Sequence, residues 1–200
     1  VMDLAVRLGS LIGQIAPGGY QRLELRTIGN MADHELRPIV MAAVKGLLDH
    51  AVEGGVSYVN ALLLAKDRGI TVEEGRSRGD SPYSGLLRLT LETDQGTTSV
   101  AGTLLTPDQP RVVEIDGLPI ESRPEGHMLL IRNRDVPGVV GKIGTILGRS
   151  GVIIAGIHLG RTGDRDSAIS IIDVDHPVPS EAIGEIESLE EITRVRSVVV

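Results

Sequence analysis

Apolar positions along this chain keep a helical period at first, then a period of two. Leu4, Leu8, Leu11, Ile12 and Ile15 recur at helical spacing, and Pro17-Gly18-Gly19 stops that helix. Gln21–Ile28 alternates apolar and polar residues, which predicts a half-buried strand. A second helix runs from Leu36 to His50, with Leu36, Ile39, Val40, Ala43, Val44, Leu47 and Leu48 on one face. Asn60 reads as the N-cap of a short helix that ends at Gly69. From Ile70 to Ser122 the period is two. Leu87, Leu89 and Leu91 alternate with Arg88, Thr90 and Glu92, and Asp94-Gln95-Gly96 turns into a strand over Thr97–Leu105. Asp116-Gly117, between two short apolar runs, is a two-residue hairpin signal. Residues 1–123 therefore predict helices followed by an antiparallel meander, an α+β domain.

Arg123-Pro-Glu-Gly126 reads as a linker, and the order changes after it. His127–Asn133 predicts a strand, and a helix opened by Pro137 runs to Arg149. Strands follow at Val152–Leu159 and Ser167–Val174, then a short helix capped by Ser180, then a strand at Thr193–Val200. Residues 127–200 thus give βαββαβ, the ferredoxin-like split unit. Asp164-Arg165-Asp166 reads as a solvated hairpin loop, and Asp173 and Asp175 as surface carboxylates.

Composition narrows the chemistry. The 200 residues hold no Phe, Trp or Cys and three Tyr, so the core must come from Val, Ile, Leu and Ala. Without Cys there is neither a disulfide nor a thiolate metal site, which fits a reducing compartment and a cytoplasmic setting. A net charge of −7 argues against nucleic acid as a partner. The opening helix is too short and charged for a membrane span or a signal peptide. The five His are scattered without ligand spacing, so no metal is expected. No Gly-x-Gly-x-x-Gly follows a strand, and Gly141-Lys142 lacks the upstream Gly of a P-loop. No nucleophile–base pair stands at a motif spacing, so no catalytic residue is assigned. A first residue of Val reads as a piece of a longer chain.

Two features remain. The loop Asn133–Gly138 joins a strand to a helix, where free backbone N–H groups attract anionic ligand groups. In the helix after it, Val139, Val140, Ile143, Ile146 and Leu147 form the apolar stripe, with Gly138, Gly141, Gly144 and Gly148 beside it. Each interior Gly costs about 1 kcal/mol relative to Ala, so the glycines should serve a close approach. The favoured reading is tight packing on the helix's own sheet; the other is a partner subunit or a ligand.

These residues carry a resemblance. Arg132-Asn-Arg-Asp-Val-Pro-Gly-Val-Val-Gly, with Gly151-Val-Ile-Ile-Ala-Gly after the helix, resembles an ACT domain, a small regulatory module that binds amino acids. The stretch from Val56 to Ile70, Ala101-Gly-Thr103 and Arg111-Val-Val-Glu-Ile-Asp-Gly117 resemble the intervening, allosteric substrate-binding domain of long-form D-3-phosphoglycerate dehydrogenases. The resemblance implies a regulatory tail of serine biosynthesis. Its catalytic and NAD-binding domains lie outside this chain, no cofactor binds within it, and serine acts at ACT interfaces between subunits.

The site residues follow from the same resemblance. Asp135 matches the position that grips the effector's ammonium group; its plain structural role is a first-turn acid worth about 0.3–1 kcal/mol. Asn133 matches a second, variable effector contact. Val136, Pro137 and Gly138 complete the loop. Ile153 stands where the family has a strand Asn. Arg111 and Arg123 match basic positions of an anion site in some relatives; the plain reading is two solvated arginines. Three functions stay open: the regulatory and self-associating part of this dehydrogenase, the regulatory region of an L-serine dehydratase, or a structural tail that has lost its effector.

Overall fold

The alternating run predicted near residue 21 forms strand β1, Tyr20–Gly29, and its buried leucines select its neighbours. Leu23 and Leu25 stand opposite Leu91 and Leu89 of the antiparallel β3, Gly85–Thr93. All four are fully buried. The structure, a computed structural model, describes residues 1–77, 79, 81–161 and 167–200. The loop 164–166 lies outside the described residues. Two units divide the chain, Val1–Gly117 and Leu118–Val200.

In the first unit helix α1 (Met2–Ile15) precedes β1, and helices α2 (Leu36–Asp49) and α3 (Ala61–Asp67) follow it. Strands β2 (Thr71–Ser77), β3, β4 (Gly96–Leu104) and β5 (Pro110–Ile115) complete the unit. Among these strands the order is β2-β1-β3-β4-β5, with β3, β4 and β5 consecutive antiparallel neighbours. β2 pairs parallel to β1, because two helices intervene and return the chain in the same direction. The leucine face packs on α1, whose Leu4 and Leu8 lie over the bare backbone of Gly102. The opposite face carries charge ladders, with Arg22 bridging Glu73 at 2.6 Å and Glu92 at 3.3 Å. Asp116 (φ 48°) and Gly117 (φ 79°) supply the left-handed pair of a type I′ turn.

One predicted cap keeps its position without its bond, and one is corrected. Asn60 occupies the N-cap position but does not bond into α3: its Oδ1 accepts the Ser57 N–H at 2.7 Å, a local turn that competes with capping. Gly69 (φ 72°) does close that helix as expected. Ser180 lies inside its helix, behind Pro179, and makes no cap bond.

The second unit holds β6 (Leu118–Ser122), β7 (His127–Asn133), helix α4 (Val139–Arg149), β8 (Ile154–Arg161), β9 (Ala168–Val174), helix α5 (Ser180–Glu187) and β10 (Ile192–Val199). The sheet order β10-β7-β9-β8 is antiparallel throughout, and β7 to β10 make the expected βαββαβ unit. Its core joins Leu129, Ile131, Ile172 and Val195 of the sheet to Ile143, Leu147 and Ile186 of the helices.

The two helical glycine sets differ. At Gly9 an added Cβ lies 2.1 Å from the Ala43 carbonyl oxygen, and at Gly46 2.0 Å from that of Val6. These glycines let α1 and α2 touch backbone to backbone. At Gly138, Gly141, Gly144 and Gly148 an added Cβ meets nothing within 4 Å. The expected tight packing of that stripe on its own sheet is therefore wrong. Val140 also leaves the buried stripe, at 38% exposure.

Substitution separates the sets. Gly9→Ala and Gly46→Ala should each destabilise by about 1–3 kcal/mol, the range for overpacking. Gly144→Ala should stabilise by about 0.5–1 kcal/mol, because open space leaves only the helix preference. Urea denaturation of the three variants checks the opposite signs.

Candidate functional site

The loop between β7 and α4 is short and pinned. The Arg134 N–H donates to the Glu191 carbonyl at 2.8 Å, and the Val136 N–H turns back to the Arg134 carbonyl at 2.9 Å. Lys142 of α4 donates to the Glu191 carboxylate at 2.5 Å, and the ammonium holds that carboxyl below its usual range. Pro137 lies in the loop and does not open the helix. Gly138 occupies the N-cap in the left-handed region (φ 90°), and α4 begins at Val139. With Gly there, the first-turn N–H groups receive no side-chain cap.

This loop walls a hollow of about 150 Å³. Asn133, Asp135, Val136, Pro137 and Gly138 form one side, together with the first turn of α4. Leu159, Arg161, Ala168 and Ser170, from the ends of β8 and β9, form the other. The register explains the meeting: Asn133 pairs with Ala168, and Ala168 with Arg161, so the three lie in one row across the sheet. Residues paired in an antiparallel sheet share a face. The volume falls below the range of about 300–1,000 Å³ for drug-sized ligands.

The polar groups here are placed unevenly. Asn133 is 5% exposed; its Nδ2 donates to the Arg134 carbonyl at 2.7 Å, and its Oδ1 is buried with no partner. Asp135 is mostly buried and faces Arg161, whose Nε lies 3.6 Å from Oδ1. That separation exceeds hydrogen-bond range. An acid, a guanidinium and an orphaned acceptor around a small hollow suit a ligand carrying both charges.

The other candidates lie elsewhere. Ile153 precedes β8 and is 60% exposed. The hollow lies at the far end of that strand, about 23 Å away at about 3.3 Å per residue. Ile153 therefore does not meet Asn133 and Asp135 within one chain. Arg111, on β5, donates to the Pro110 carbonyl at 2.9 Å. Arg123, after β6, pairs with Glu125 at 3.1 Å. The two arginines belong to different units. A larger hollow of about 410 Å³ opens in the first unit beside Asn30, His34 and Leu104–Pro107, and Arg111 does not line it. Among the described residues no group of three or more His, Asp or Glu could hold a metal ion. No helix is long and apolar enough to cross a membrane.

Sequence reading missed Arg161, Leu159 and Ser170: the predicted strand stopped at Leu159, and the row that carries Arg161 toward Asn133 through Ala168 is set by strand register.

The chain is thus a mixed α+β unit followed by a ferredoxin-like unit whose β7–α4 loop walls a small hollow. Comparison with known families makes this specific. The family model described as the D-3-phosphoglycerate dehydrogenase intervening domain matches residues 1–116, and the ACT domain matches residues 127–191. The chain belongs to the D-3-phosphoglycerate dehydrogenase intervening-domain family and carries an ACT domain behind it. The D-3-phosphoglycerate dehydrogenase of Synechocystis is 39% identical over 192 residues, 96% of this chain and 35% of that protein. That of Methanocaldococcus jannaschii is 33% identical over 199 residues, 100% of this chain and 37% of that protein. That of Bacillus subtilis is 30% identical over 194 residues, 97% of this chain and 37% of that protein. The chain thus spans little more than a third of the length of these relatives.

Asn133 tests whether this hollow is built for a ligand. A buried acceptor without a partner costs about 1–3 kcal/mol, while the Nδ2 bond returns about 1 kcal/mol. Asn133→Ala should leave ligand-free stability within about 1 kcal/mol of wild type. Thermal denaturation checks it, and a loss of about 3 kcal/mol marks a structural residue.

Proposed function

We propose that this chain is the regulatory and self-associating part of a D-3-phosphoglycerate dehydrogenase, sensing a small amino acid at the hollow beside Asn133–Gly138, with L-serine the first candidate. The observation that carries this is the pairing of Asp135 with Arg161 beside a space of about 150 Å³ that Asn133, whose buried Oδ1 has no partner, also lines. Hydride transfer with NAD belongs, on this reading, to domains outside the chain, in a cytoplasmic enzyme. The dehydrogenase names of the relatives support it over an L-serine dehydratase.

Self-association is part of the proposal. Strand β8 is the edge of its sheet, and Ile157 and Leu159 on it are 40% and 44% exposed. The open glycine face of α4 adds a second uncovered surface. An apolar edge strand invites pairing with another chain. Antiparallel pairing of β8 with its copy across a two-fold axis sets the start of one strand beside the end of the other. The partner's Ile153 then approaches the hollow, which one chain alone leaves without it. An effector held by both copies favours the paired state by its differential affinity.

Calorimetry with L-serine, glycine and L-alanine should detect binding, and Asp135→Ala should eliminate it. Ile153 offers the serine hydroxyl no partner, a loss of about 0.5–1.5 kcal/mol, or up to about tenfold in affinity. Ile153→Asn should improve serine and leave alanine unchanged. Serine binding that survives Asp135→Ala places the site elsewhere.

Light scattering should report a dimer or tetramer at tens of micromolar. A charged residue at Leu159, such as Leu159→Lys, should shift the chain toward monomer. A wild-type monomer at that concentration overturns the interface.

A further inference from the structure

Resting on the amino-acid reading above, we infer that Arg161 is the carboxylate anchor of the hollow and opposes Asp135 as the second half of a zwitterion selector. The resemblance supplied Asp135 and Asn133; Arg161 enters only through the fold. It is the last residue of β8 and lies in the same row as Asn133. Its Nε stands 3.6 Å from Asp135 Oδ1, an ion pair longer than a hydrogen bond at the wall of the hollow. The Arg161 side chain is 60% exposed and that of Asp135 14%, so the cation stands at the mouth and the anion lies deeper.

That order sets the ligand's orientation. An ammonium group entering the hollow meets the Asp135 carboxylate, and Asn133 beside it holds an unpartnered acceptor, Oδ1, that is buried in the free chain. The carboxylate of the same ligand remains at the mouth, where a guanidinium fork can take both of its oxygens. The uncapped N–H groups of α4 add to the field on that carboxylate. One open ion pair is thereby exchanged for two charge-assisted contacts. A ligand with only one of the charges leaves either Asp135 or Arg161 facing an uncompensated neighbour. The hollow selects a free α-amino acid over an amine, a hydroxy acid or an amino-acid amide.

The test crosses two proteins with two ligands. The 200-residue chain and its Arg161→Gln variant are titrated calorimetrically with L-serine and L-serinamide, at a mildly acidic pH that keeps both ammonium groups protonated so that the ligands differ only in the carboxylate. Circular dichroism confirms that the variant is folded, and Arg161→Lys retains the charge without the fork. Wild type should bind serine at least tenfold more tightly than serinamide. Arg161→Gln should weaken serine tenfold or more and bring the two ligands within about threefold of each other, with Arg161→Lys between. Serine affinity within twofold of wild type in Arg161→Gln, or an unchanged serine-to-serinamide ratio, overturns the role of Arg161 and leaves the effector site standing. No binding of any amino acid to wild type removes both.

Discussion

Two helices in backbone contact set the first unit. With no Phe or Trp in the chain, the interior is filled by Leu, Ile, Val and Ala. Short side chains close a core to native density only if the layers approach closely. Gly9 and Gly46 supply that approach at the α1–α2 crossing, where a methyl group would collide with the facing carbonyl oxygen. Fixing α2 there fixes the crossover from β1 through α2 and α3 to β2. That crossover makes the edge pair of an otherwise antiparallel sheet run parallel.

The second unit uses glycine for the opposite purpose. Gly141, Gly144 and Gly148 meet nothing in the described chain, yet together they cost helix α4 about 1.5–3 kcal/mol against alanine. That is large beside the net stability of a domain, about 5–15 kcal/mol. A buried acceptor left without a partner at Asn133 is a second cost in the same place. Both lie around the loop and its helix, and neither is offset by a contact within the described residues. On the proposed function, a second molecule covering this surface offsets both costs.

How much was readable depended on range. The amphipathic helices, the leucine strand at residues 87–91 and the βαββαβ order follow from local period alone. The parallel β1–β2 pair was not readable, because strand partners separated by two helices are chosen by packing. Pro137 and Ser180 were misplaced for a local reason: both residue types favour helix starts, and Gly138 and Pro179 take the boundary instead. Asp135 and Asn133 stood out because a loop motif is contiguous in sequence. Arg161 did not, since its proximity to Asp135 exists only through the register of three strands.

The position of Ile153 bears on what its departure from the family pattern means. Within one chain it lies a full strand length from Asp135, so the charges that hold an effector's backbone groups and the residue that reads its side chain belong, on the proposed pairing, to different copies. Affinity then rests on Asp135, Asn133 and Arg161, which are intact, and selectivity rests on the partner's Ile153. Losing an amide at that position removes a hydrogen bond to a hydroxyl but leaves the zwitterion contacts untouched. On the proposed site, the substitution would move preference from serine toward alanine or another less polar amino acid without removing binding.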